Sequence, residues 1–186
     1  MRRRTCLALV ALPIVAFASA RAAESPLQRV FGTWVGSAEL FDETGALLEQ
    51  RDLDLLVEPF RRSGFRLRTI SVTLVGGRRD RPGVVRRETE VAFVPAGDRP
   101  YFVEERGSNP FREREELQAM AGDPVRWAVV DDQGLHLYAF VLLEDGRFEL
   151  QVTHRRPTPE GLELDFVRIR DGRVVRRARG RLIRVD

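Results

Sequence analysis

The 186-residue chain has no lysine, one cysteine and two histidines. Without lysine there is no side-chain amine for Schiff-base chemistry and no Walker-type phosphate loop, which needs that ammonium group. The one cysteine, Cys6, lies in the N-terminal segment, so the remainder has no disulfide, no thiolate nucleophile and no thiolate metal site. No Gly-x-Ser-x-Gly elbow and no His-Glu-x-x-His pair occurs. Asp52 and Asp54 share one face of an extended run, the usual pattern of a solvated strand face rather than of a catalytic carboxylate pair. The chain therefore offers little as an enzyme, and its fixed positive charge is carried by arginine alone.

The N-terminus has the three parts of an export signal: Arg2, Arg3 and Arg4, an apolar run from Cys6 to Phe17, and small residues ending in Ala18-Ser19-Ala20 and Ala20-Arg21-Ala22. Residues 1–22 are expected to be a signal peptide cleaved after Ala20 or Ala22. The apolar run is shorter than the roughly 20 helical residues that a membrane span requires. Arg3-Arg4-Thr5-Cys6-Leu7 partly resembles a twin-arginine signal, whereas the basic start alone fits the general secretory route, which is the expected one. The expected location is periplasmic or secreted.

Removing the signal also removes the apparent basicity. Cleavage after Ala22 leaves 27 basic against 28 acidic side chains, and cleavage after Ala20 leaves 28 against 28. The remaining arginines are interleaved with acids, which argues against a nucleic-acid partner. Residues 23–186 are the size of one domain with a core of its own.

Along that domain, strand-like runs alternate with turn signals: 34–41, 46–57, 65–75, 84–94, 101–105, 125–131, 135–143, 147–155, 162–170 and 174–185. Asp145-Gly146 and Asp171-Gly172 read as two-residue hairpins. This order predicts an all-β domain, a single antiparallel up-and-down barrel of about eight to ten strands. Asn109-Pro110 followed by Gly122-Asp123-Pro124 predicts one short helix near residues 110–121, either a lid over the barrel mouth or a surface crossover.

A two-residue turn at Asp145-Gly146 would pair Leu143 with Phe148, Val141 with Leu150, Ala139 with Val152 and Leu137 with His154, giving an apolar core face. Phe140, Tyr138 and His136 then share the opposite, mixed face, which is either solvated or the lining of a polar cavity. His154 is expected on the core side, and the two histidines on opposite faces. Pairing across Asp171-Gly172 places Arg177, Arg179 and Arg181 on the face of Leu162, Leu164 and Phe166, where buried guanidiniums would need an internal carboxylate or an anionic ligand. Val167 and Ile169 point to the alternative, a bulge that switches faces. The candidate ligand-binding residues are Arg177, Arg179, Tyr138, Phe140 and His154.

Gly32-Thr33-Trp34, at the head of the first run, resembles the Gly-x-Trp signature of lipocalins and related calycin barrels. That resemblance implies that Trp34 closes one end of the barrel, with Arg181 or Arg184 from the last run lying across its ring by cation–π attraction. It also implies a cavity for a small apolar or amphipathic ligand. A fatty-acid-binding barrel would place Arg-x-Tyr on its last strand, where this chain has Arg177-Ala178-Arg179. Gly-Thr-Trp-x-Gly with a late histidine also resembles nitrobindin-type barrels, which implies haem with His154 as ligand; otherwise no cofactor is expected. Three functions follow: an exported carrier of a small, mostly apolar molecule, an envelope interaction module with a filled barrel and contact loops at 77–83 or 106–116, and a haem protein.

Overall fold

A computed structural model of the protein describes residues 25–97, 100–106 and 117–185. The expected signal segment and most of the expected helix lie outside these residues. At the end of the latter, residues 119–121 form a single 3-10 turn closed by Gly122 with φ +91.

Ten strands follow in order: β1 (Gly32–Asp42), β2 (Leu47–Phe60), β3 (Gly64–Thr73), β4 (Val85–Pro95), β5 (Tyr101–Glu104), β6 (Val125–Asp131), β7 (Gly134–Leu142), β8 (Phe148–Thr158), β9 (Gly161–Arg170) and β10 (Arg173–Arg184). Each is antiparallel to its sequence neighbours, and β10 pairs with β1 to close the barrel. The all-β, up-and-down barrel expected from the sequence is thus found, an architecture consistent with a calycin-type barrel. Closure leaves no free sheet edge, so every strand's backbone can be paired on both sides.

Alternation along the strands divides the interior into two layers. The lower layer is apolar: Trp34, Leu55, Val57, Phe65, Phe93, Phe102, Ala128, Val130, Leu135, Leu162 and Leu182 are all buried and form one cluster. Phe65 stacks on Phe93 at 4.9 Å and meets Phe102 edge-on at 5.3 Å, geometries that add to area burial. The lead-in residues Leu27, Val30 and Phe31 pack beneath this cluster, and Arg29 donates to the Asp132 carbonyl at 2.8 Å, tying the floor to the β6–β7 turn. Gly32, with φ +128, turns the chain from that plug into β1, a conformation that disfavours side-chain-bearing residues.

Turn chemistry fixes which side chains face inward. Asp171 and Gly172 both have positive φ and Arg170 pairs with Arg173, as a two-residue primed turn requires. One residue later β10 bulges between Val174 and Arg176, the face switch that Val167 and Ile169 pointed to. Asp145 behaves differently. Its carboxylate accepts from the Arg147 amide at 3.1 Å and from the Arg147 guanidinium at 2.7 Å, and only Gly146 takes a positive φ. The turn is therefore longer: Leu143 N–H donates to Arg147, and Leu142 pairs with Phe148. That one-residue shift leaves the β7 faces as expected and reverses every β8 side chain relative to them.

Candidate functional site

Above the apolar floor, the interior becomes polar and carries more arginines than acids. A cavity of about 490 Å³ is lined by Arg51, Arg87, Arg155, Arg168 and Arg176 against two carboxylates, Glu39 and Glu49, by the hydroxyls of Thr69, Ser71, Thr73 and Thr153, and by an apolar side that includes Leu40, Leu53, Leu164 and Phe166. Its volume lies in the range of small-molecule sites. The lining comes from β1–β4 and β8–β10, strands whose inward positions carry Leu or Phe at the floor and polar residues toward the other end.

The arginines in and around this cavity divide into neutralised and unneutralised groups, Arg87 being an exposed member. Arg51 pairs with Glu49 at 2.6 Å. Arg168 and Arg170 both reach Glu149, at 3.3 and 2.9 Å, and Gln151 donates to the same carboxylate at 2.8 Å. Arg126 and Arg106 share Glu104 at 2.8 and 3.5 Å. Among the described residues, Arg87, Arg155 and Arg176 have no ion-pair partner.

Arg155 is the most constrained of the three. It is 5% exposed, and its Nε and Nη1 are buried with no hydrogen-bond partner among the described residues. Burial pushes its guanidinium down to about 10, which leaves it charged at neutral pH. A buried charge without a counter-ion costs several kcal/mol, roughly, even after relaxation of its surroundings. Arg155 sits opposite Leu135 on one side and Leu164 on the other, and neither can supply an acceptor side chain.

The sequence-derived candidates lie elsewhere. The β10 bulge puts Ala178, Gly180 and Leu182 inward, opposite Phe166, Leu164 and Leu162. Arg177, Arg179 and Arg181 are thereby turned to the exposed outer wall, the placement that follows from the bulge alternative rather than the inward one. Arg179, for example, is 81% exposed and only 4.0 Å from Asp165. Tyr138 and Phe140 face outward, the solvated one of the two placements open to their face, because β7 keeps Leu135 and Leu137 on the core side. Tyr138 stacks on Trp127 at 5.2 Å and Phe140 on Phe148 at 5.8 Å, forming an aromatic ribbon on the outside.

His154 is exposed on the outer wall rather than facing the core, and it is paired directly with His136 instead of being on the opposite face. A haem held inside the barrel would be beyond both imidazoles, so these residues do not fit that group. At the closed end, Trp34 is buried, donates its indole N–H to the Val30 carbonyl at 2.9 Å, and has the Arg184 guanidinium carbon 4.8 Å from its ring centroid. Arg181 is not the residue over that ring; its exposed position lies on the other face of β10.

The cavity arginines were missed because β8 inverts the usual pattern. Its inward positions are Glu149, Gln151, Thr153 and Arg155, while Leu150 and Val152 face outward beneath the aromatic ribbon. One signal did exist: Gln151, Thr153 and Arg155 alternate along β8 as one polar face, and that face is the one turned inward.

No protein-family model matches the chain, and no curated protein does. Among solved structures, the 12:0-ACP thioesterase from Umbellularia californica is similar over 82% of this chain and 75% of that chain, with 9% identity and a TM-score of 0.20. A likeness at that score carries no argument about chemistry.

Proposed function

We propose that this is an exported, lipocalin-like binding protein that holds a small amphipathic anion inside its barrel. The observation that carries the reading is Arg155, a buried guanidinium with unused donors beside a cavity. A carboxylate, phosphate or sulfate group at that position would supply the missing acceptors and the missing charge through charge-assisted hydrogen bonds. Leu40, Leu53, Leu164 and Phe166 would receive the apolar part. The ligand is thus less apolar than the sequence alone implied.

The outer wall supports placement in water. β2 to β4 carry Asp52, Asp54, Glu58, Arg66, Arg68 and Glu88 on that side, with Arg66–Glu58 at 3.1 Å and Arg68–Glu88 at 2.6 Å. In a lipid-facing barrel each midplane arginine would cost roughly 2–4 kcal/mol.

Calorimetric titration with octanoate, octyl phosphate and uncharged octanol tests the reading. Saturable binding of either anion, absent for octanol and lost in Arg155→Met, supports it. Equal binding of octanol, no anion binding, or undiminished binding by Arg155→Met rejects it. The outer ribbon of Trp127, Tyr138, Phe140 and Phe148 favours a second reading, an envelope interaction module. That reading gains if the anions fail to bind and the cavity proves to be occupied by side chains.

A further inference from the structure

The geometry points to a second site on the opposite side of the same wall: a surface clamp for a borderline transition-metal ion, made by His136 and His154. These are the chain's only imidazoles, and the β7–β8 register places them directly across from one another. Their ring centroids are 4.6 Å apart with an interplanar angle of 81°, so one ring presents its edge to the other. Two imidazoles at this separation can converge on one ion with small side-chain rotations, since each metal–nitrogen bond is about 2.0–2.1 Å.

A further feature prepares the pair for that role. Asp131 Oδ1 lies 2.9 Å from His136 Nε2 and also accepts from the Gln133 and Gly134 amides at 2.8 and 3.2 Å. A carboxylate held in this way fixes the proton on Nε2 and leaves Nδ1 as the lone-pair donor, the arrangement that orients histidine ligands in metal sites.

Among the described residues, no group of three or more His, Cys, Asp or Glu is disposed to enclose an ion. The clamp is therefore bidentate, with water in the remaining positions. Nitrogen donors and an open coordination sphere favour Cu²⁺ over Ni²⁺ and Zn²⁺, and disfavour Mg²⁺ and Ca²⁺, which prefer all-oxygen sites. His154 and Arg155 are neighbours in sequence but face opposite sides, so the ion and the interior anion would occupy separate compartments.

Titration of the full mature chain with Cu²⁺, followed by calorimetry and electron paramagnetic resonance, tests the assignment. The expected result is one ion per chain with nitrogen hyperfine structure from two imidazoles. His136→Ala and His154→Ala should each weaken binding at least tenfold, and Asp131→Asn by a smaller factor. Undiminished binding by either histidine variant, or a signal lacking imidazole nitrogen, overturns the proposal. His154→Gln, which keeps an exposed polar side chain, serves as a second variant, with thermal melts establishing that each protein is folded. Arg155→Met should leave Cu²⁺ binding unchanged, which separates failure of this site from failure of the interior anion site.

Discussion

His154 and Arg155 are consecutive on β8, yet the imidazole is exposed on the outer wall and the guanidinium is buried inside the barrel. The same strand thus places an imidazole in water and a charged group where it has no partner. The second placement opposes stability, and its consequences can be measured.

Arg155→Met should make the protein more stable. The substitution keeps an unbranched side chain of similar reach, removes a buried unpaired charge, and fits the apolar neighbours Leu135 and Leu164. Replacing buried ionic groups with apolar ones often gains about 1–4 kcal/mol. For a domain of this size about 2 kcal/mol corresponds to a rise in Tm of roughly 4–8 °C, readable by thermal denaturation. A stabilised variant that no longer binds octanoate or octyl phosphate would show stability given up for function; a lowered Tm would mean that Arg155 has a structural partner.

The barrel itself was legible because ten runs of strand length are separated by strong turn signals, and closure follows from their meander order. The closed end was legible for a different reason: Gly32 and Trp34 occupy positions where the backbone and the floor demand a glycine and a large ring. The cavity was not legible, because it depends on one residue of register. Asp145 uses its carboxylate to hold Arg147 instead of adopting a positive φ, and that local competition decides whether Arg155 or His154 faces inward. At Val174–Arg176 a bulge makes the same kind of decision for Arg177, Arg179 and Arg181. Hydrophobic alternation cannot report such a choice where an outer aromatic ribbon lies opposite a polar interior.

Glu149 is expected to give the protein an acid-sensitive step. Desolvation, the largest single influence, raises its carboxyl, but Gln151, Arg170 and Arg168 together outweigh it and hold the group below its ordinary value. The folded state therefore binds its proton less tightly than the unfolded state. Stability from this group is complete above the ordinary glutamate range near 4.5 and is lost as the pH falls through the lower folded value. Urea denaturation between pH 7 and pH 3 should show a shallower fall for Glu149→Gln than for the parent. At pH 7 that variant should lose about 1–2 kcal/mol, a modest figure because Arg168 and Arg170 are partly exposed. Parallel pH curves would remove Glu149 from this role.

Trp34 and Arg184 should contribute very unequally to the closed end. Trp34→Ala removes a buried ring from the floor and is expected to cost roughly 3–5 kcal/mol. Arg184→Ala removes the cation over that ring, worth about 1 kcal/mol at an exposed site. Chemical denaturation of the two variants and their double mutant measures both terms. The double mutant should cost less than the sum, since Arg184 has no ring to cover once Trp34 is gone.

Gly36 lies at the seam where β1 meets β10, opposite Leu182. A Cβ at this position would collide with the Arg181 carbonyl oxygen and lie 2.7 Å from the Leu182 Cα, both backbone atoms that cannot rotate away. Gly36→Ala should therefore push the two strands apart, at about 1–3 kcal/mol or more. Because this seam closes the barrel, the damage should be local before it is global. Amide hydrogen exchange should accelerate first in residues 34–40 and 178–184, while the β6–β8 amides keep their protection. Uniform acceleration around the barrel would show that the seam has no independent opening and that the ten strands unfold as one unit.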